Sequence, residues 1–217
     1  MSLAWAVVVA LIAGLNYSVR FTDARPTPPD VLFRWTTAIG TFVLDGILLL
    51  LMLLVARGMS LRDAFALRQP ASWSQAARIG GLALLATWVT SFALELTVGH
   101  AAREQAVPQF WDEARVAAFV ANALAIAVFV PIVEELMCRG IGFTLLARWG
   151  TPVAIAGSSV AFALAHGAVL DLPWVLVTGI GLGVLRARTG SVYPSIALHV
   201  TINGIAVLAA GLIARGG

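Results

Sequence analysis

The 217-residue sequence has no lysine, a single cysteine and only 12% charged residues. Each shortage excludes something. One cysteine, Cys138, rules out an intramolecular disulfide and any zinc cluster built on cysteines. All fourteen basic residues are arginines, scattered along the chain, and no basic run marks a nucleic-acid partner. Soluble domains carry roughly a quarter charged residues. Half that share, beside 60% hydrophobic residues, makes lipid the solvent for most of the chain. The missing lysine, with abundant Ala and Gly, fits a GC-rich bacterial coding sequence and hence a bacterial cytoplasmic membrane. No basic stretch precedes the first apolar run, Leu3 to Leu15, and Asn16-Tyr17-Ser18-Val19-Arg20 is a poor cleavage site, so the run reads as a retained span. No internal repeat is visible, which disfavours a repeat-built transporter.

What the sequence does have is a series of apolar runs approaching the roughly 20 residues that cross a bilayer. Hydropathy predicts spans near 3–17, 36–56, 79–98, 116–147, 152–170, 172–185 and 194–213. The expected fold is therefore all-α, a polytopic bundle of about seven to eight transmembrane helices in one membrane domain, 1–217. The arginine distribution favours a cytoplasmic N-terminus. A proline-rich loop, "RFTDARPTPPD", separates the first two spans. Two mixed segments, 57–78 and 99–115, combine arginines with Leu, Phe and Trp and are expected to lie flat among the headgroups.

Ionisable groups within a span are costly and usually meet a partner or a wet cavity. Asp45 and Glu95 stand alone and are expected to pair with an arginine or a backbone group. The fourth span is different, because "VPIVEELMCRG" ends a long apolar run with two glutamates and an arginine. Glu135 and Arg139 are four apart, share a helix face and can neutralise each other. Glu134 points about 100° away, toward the face of Cys138, and is left as the spare carboxylate, a candidate general base. Pro131 frees the carbonyl of Ala127 and bends the helix beside it. "AFALAHG" places Phe162 and His166 on one face of the fifth span, and "ALHVTINGI" places His199 and Asn203 on one face of the seventh.

Depth arithmetic brings these groups together. Glu134 and His166 each lie about 21 Å from the turn at Arg148–Thr151, at about 1.5 Å per residue. The sixth span, about 21 Å long against a hydrocarbon core of about 30 Å, stops short in a recess holding Arg186 and Arg188, where the seventh span begins at Pro194, which places His199 roughly 16 Å deep.

Three motifs in this order, EExxxR, FxxxH and HxxxN, resemble the CPBP family of intramembrane proteases (the Abi or CAAX-protease family, which includes Rce1-type prenyl-protein endopeptidases). Here they read Glu134-Glu135-Leu136-Met137-Cys138-Arg139, Phe162-Ala163-Leu164-Ala165-His166 and His199-Val200-Thr201-Ile202-Asn203. The resemblance covers a core of about 116–213, and the first 115 residues carry no matching motif. Cys138 departs from the pattern, since many members have an aromatic residue there. The resemblance implies hydrolysis of a peptide bond in a membrane-associated peptide or lipidated protein. Glu134, assisted by His166, would activate water. His199 and Asn203 would stabilise the oxyanion, with Glu135, Arg139 and Phe162 in support.

The chemistry is consistent, since amide hydrolysis needs an activated water and donors aimed at developing negative charge. Ser158 and Ser159 lack a triad partner, and Cys138 in apolar surroundings is a poor thiolate. No metal is favoured and no cofactor is required. The alternative is a single zinc ion on Glu134, His166 and His199, although the HExxH signature is absent. Competing classes are a bacteriocin-immunity or scaffold membrane protein that keeps the fold without catalysis, and a proton-coupled transporter using Glu and His as a relay.

Overall fold

The computed structural model describes residues 1–22, 28–99 and 111–216. Its helices are α1 (Ser2–Thr22), α2 (Trp35–Val55), the single turn α3 (Leu61–Ala64), α4 (Trp73–Val98), α5 (Glu113–Trp149), α6 (Thr151–Ala165), α7 (Leu172–Thr189) and α8 (Tyr193–Gly216). The described residues contain no strand. Every expected span has its helix. Five of them, α1, α2, α4, α5 and α8, are long and apolar enough to cross a membrane. The chain is an all-α polytopic helix bundle and an integral membrane protein.

The two helices between α5 and α8 are the short ones. α6 has 15 residues, about 22 Å, and α7 has 18, about 27 Å, against a hydrocarbon core of about 30 Å. α7 nevertheless outruns its expected end at Leu185 by a turn. Arg186 is buried, its Nε donating to the Arg139 carbonyl at 3.0 Å and its guanidinium 4.9 Å from the Phe143 ring centre. Its charge thus has partners and the helix can continue, until Gly190 ends it at φ 68°. Arg188 is exposed, so only one of the two arginines occupies the expected recess.

α7 is the hub, packed against α4, α6 and α8. Its "GIGLG" run lets two neighbours approach at once. A Cβ on Gly181 would sit 2.7 Å from the Ala83 Cβ of α4, and one on Gly183 would sit 3.3 Å from Ile155 of α6. Without a hydrophobic force between helices in lipid, such close backbone contact and interhelical hydrogen bonds supply the cohesion. Thr87 and Thr178 share one such bond, 3.0 Å long, between α4 and α7.

The N-terminal half clasps this core with polar side chains. From α1, Trp5 Nε1 donates to the Met137 carbonyl at 3.0 Å and Asn16 Nδ2 to the Ala165 carbonyl at 2.6 Å. Before α2, Asp30 accepts from Arg34 at 2.6 Å and from Arg115 at 2.8 Å, while Arg115 Nε also meets Asp112 at 2.6 Å. Inside, Asn122 of α5 donates to the carbonyls of Leu32 and Arg34, both at 3.0 Å. The start of α2 is therefore fastened to the start of α5.

The segment 57–78 is anchored to the bundle through its middle. Phe65 is buried in the same apolar cluster as Met137 and Ile141, closing on Gly140, where a Cβ would sit 2.9 Å from its ring. The Val192 amide donates to the Ala66 carbonyl at 3.2 Å, and Trp73 to Arg78 already belong to α4. An aromatic side chain facing a side-chain-free stretch of α5 gains more by burial than by floating at the interface. Of the other flat segment, residues 100–110 lie outside the described residues, as do 23–27 of the proline-rich loop.

Candidate active site

α5 changes register twice. Regular α-helix gives way to a π turn over Ala125–Phe129, resumes over Val130–Glu135, and widens again over Leu136–Gly142. In the first π turn the Val130 amide reaches back five residues, to the Ala125 carbonyl. The next partner in that register, for Ile126, is the nitrogen of Pro131, which carries no hydrogen. In this register Pro131 leaves the Ile126 carbonyl without a donor, beside the Ala127 carbonyl expected from ordinary α-helical spacing. Asn203 of α8 answers it, Nδ2 donating to the Ile126 carbonyl at 3.0 Å.

The two glutamates sit between the two π turns. Glu135 and Arg139 form the expected ion pair, Oε1 to Nη1 2.8 Å, with neither side chain exposed. Arg139 Nη2 donates to the Gly179 carbonyl of α7 at 2.8 Å, and its guanidinium lies 4.4 Å from the Phe162 ring centre. Helices α5, α6 and α7 thereby meet at one guanidinium, a planar group that can hold several acceptors and an aromatic face together.

Glu134 is not solitary. His199 Nε2 lies 3.7 Å from Glu134 Oε2, while His199 Nδ1 meets Glu135 Oε1 at 3.2 Å. One imidazole from α8 spans both carboxylates, a link that spacing along α5 could not reveal. His166 closes the end of α6, its Nδ1 2.8 Å from the Phe162 carbonyl. A carbonyl only accepts, so Nδ1 carries the proton and Nε2 is the ring's acceptor. Phe162 packs edge-on to both imidazoles, 4.5 Å from His166 and 5.4 Å from His199 between ring centres.

Glu134, His166, His199 and Asn203 all line one cavity of about 380 Å³, and Phe162 forms part of its wall. Glu135 and Arg139 stand behind it, fully buried. The remaining wall includes Trp174, Val175 and Thr178 of α7, which the motifs did not flag. Their only signal was the shortness of the sixth span, which kept α7 central. Cys138 faces the core with no exposed surface. Asp45 of α2 is half-buried and makes no ion pair among the described residues. Glu95 lines a neighbouring cavity of about 470 Å³ that shares Trp174 and Ile202 with the first. Among the described residues no three His, Cys, Asp or Glu side chains are grouped as a metal site. Glu134, His166 and His199, the alternative zinc set, all line the same cavity.

Residues 116–205, which carry all three motifs, match the family model for type II CAAX prenyl endopeptidase Rce1-like proteins. This segment is Rce1-like. The match agrees with the resemblance read from Glu134 to Asn203, and at the level of the family it supports a hydrolase. The Rce1-like segment runs from the start of α5 into α8 and so includes the helices that carry Glu134, Glu135, Arg139, Phe162, His199 and Asn203. No curated protein and no solved structure matches the chain.

Proposed function

We propose that the protein is an intramembrane endopeptidase of a bacterial cytoplasmic membrane. It would hydrolyse a peptide bond in a membrane-associated peptide or a prenylated, CAAX-type protein without a bound metal. The reading is supported above all by the shared cavity, whose wall gathers one carboxylate, two imidazoles and one amide from three helices.

In this proposal Glu134 accepts one proton of the attacking water and His166 Nε2 accepts a hydrogen bond from the other. The water oxygen bonds to the scissile carbonyl carbon, whose oxygen becomes the oxyanion. Asn203 donates to that oxygen. His199, with Nδ1–H committed to Glu135, donates through Nε2 once Nε2 carries a proton. Glu134, 3.7 Å away, is placed to hand that proton over as the negative charge develops. Collapse of the intermediate reforms the carbonyl and breaks the C–N bond, and the leaving amine takes up the proton drawn from water, returned from His199 Nε2 through Glu134. Positioned general bases contribute about 10²- to 10⁴-fold, and a single oxyanion donor about 10²- to 10³-fold.

The test is cleavage of a labelled membrane-peptide library, prenylated and unprenylated, by purified protein in detergent. Glu134→Gln and His199→Ala should each lose at least about 100-fold, and exhaustive chelation should leave the wild-type rate unchanged. Equal rates in wild type and both variants would remove the proposed site. Loss on chelation with recovery on adding zinc would replace the metal-free mechanism.

A further inference from the structure

Asn203 is an amide on a long apolar helix, and a free side-chain amide can swing about its terminal bond. The structure supplies what stops it. The π turn commits the Val130 amide to Ala125, and Pro131 brings no hydrogen to Ile126, so one backbone carbonyl of α5 is left facing α8 without a partner from its own helix. Asn203 Nδ2 fills that place at 3.0 Å. A primary amide has two N–H groups. With one held by Ile126, the other is fixed in direction on a side chain that lines the catalytic cavity beside Glu134 and His199.

We propose that Pro131 is a positioning residue for Asn203: by withholding an N–H from the Ile126 carbonyl it keeps that carbonyl free to orient the Asn203 amide toward the cavity. The proposal rests on the reading of Asn203 as an oxyanion donor. It adds that the proline preceding the two glutamates acts through a residue 72 positions later in the chain rather than through helix bending alone.

Pro131→Ala supplies the missing N–H. The backbone then satisfies Ile126 and the Asn203 amide is released. In the cleavage assay Asn203→Ala should lower kcat about 10²- to 10³-fold. Pro131→Ala should lower kcat by about 10-fold or more with little change in KM, and the double variant should be no slower than Asn203→Ala alone. Effects that multiply would overturn the proposal, since Pro131 would then act on some other part of the site. A wild-type kcat in Pro131→Ala would also overturn it.

A second readout is independent of catalysis and of whether the variant folds. The chain has three asparagines, Asn16, Asn122 and Asn203, so selective ¹⁵N-asparagine labelling gives three side-chain amide pairs, with Asn203 assigned by its loss in Asn203→Ala. In wild type one Asn203 amide proton should lie downfield of its free-amide shift and exchange slowly, and Pro131→Ala should return it to the free-amide shift and exchange rate. A wild-type Asn203 pair with the shifts and exchange rates of a free asparagine amide would end the proposal whatever Pro131→Ala does. If the wild-type protein cleaves nothing but the spectrum shows the held amide, the protease reading fails while the Pro131–Asn203 coupling stands.

Discussion

Glu135 and Arg139 meet at 2.8 Å with neither side chain exposed, and the same glutamate oxygen lies 3.2 Å from His199 Nδ1. Removing one member of such a pair leaves an uncompensated buried charge. Arg139→Met should therefore destabilise the protein in detergent by about 3–5 kcal/mol. Arg139→Met with Glu135→Leu should recover much of the loss, because no buried charge is then left alone. Thermal unfolding of the three proteins checks this.

Gly181 of α7 faces Ala83 of α4 so closely that a Cβ there would lie 2.7 Å from the Ala83 Cβ. Gly181→Val should cost about 1–3 kcal/mol by forcing the helices apart. Ala83→Gly in the same protein should restore part of it, measured again by thermal unfolding.

Cys138 has no exposed surface and packs in the apolar core. Cys138→Ala should keep the cleavage rate within about twofold, with a stability cost of about 1 kcal/mol, typical of a small core truncation. The folded wild-type protein should resist a thiol-reactive maleimide. A rate collapse in Cys138→Ala would reinstate a cysteine nucleophile.

Outside the spans, Asp30 is held by Arg34 and Arg115, whose hydrogen bonds lower its pKa from 3.8 to about 2. A carboxylate depressed in the folded state stabilises it above the unfolded pKa, and that contribution is lost as pH falls through the folded value. Stability should thus decline between about pH 4 and pH 2. Asp30→Asn should be less stable than wild type at neutral pH and lack this part of the acid dependence. Unfolding midpoints measured across that range give the comparison.

Much of the bundle was legible because lipid imposes its rule locally. A span must be a helix that satisfies its own backbone, so apolar runs alone located all the long helices. The i,i+4 relation joined Glu135 to Arg139 and Phe162 to His166, since both pairs lie within one helix. The anchor of 57–78 was not legible, because its arginines and aromatics suit a headgroup layer equally well. Only the side-chain-free surface at Gly140 made burial of Phe65 the better outcome.

By itself the sequence determined an all-helical membrane bundle, the pairing of Glu135 with Arg139 and the set of polar groups available for chemistry, because each depends on spacing within a single helix or on the solvent the chain must suit. The tertiary structure alone decided that His199 spans both glutamates, that the Ile126 carbonyl is offered to α8, and that Asn203 takes it. A π turn shifts every later side chain by a residue at little local cost, and a buried polar group bonds to whatever the neighbouring helix presents, so neither outcome is written in the spacing of residues along one strand of sequence.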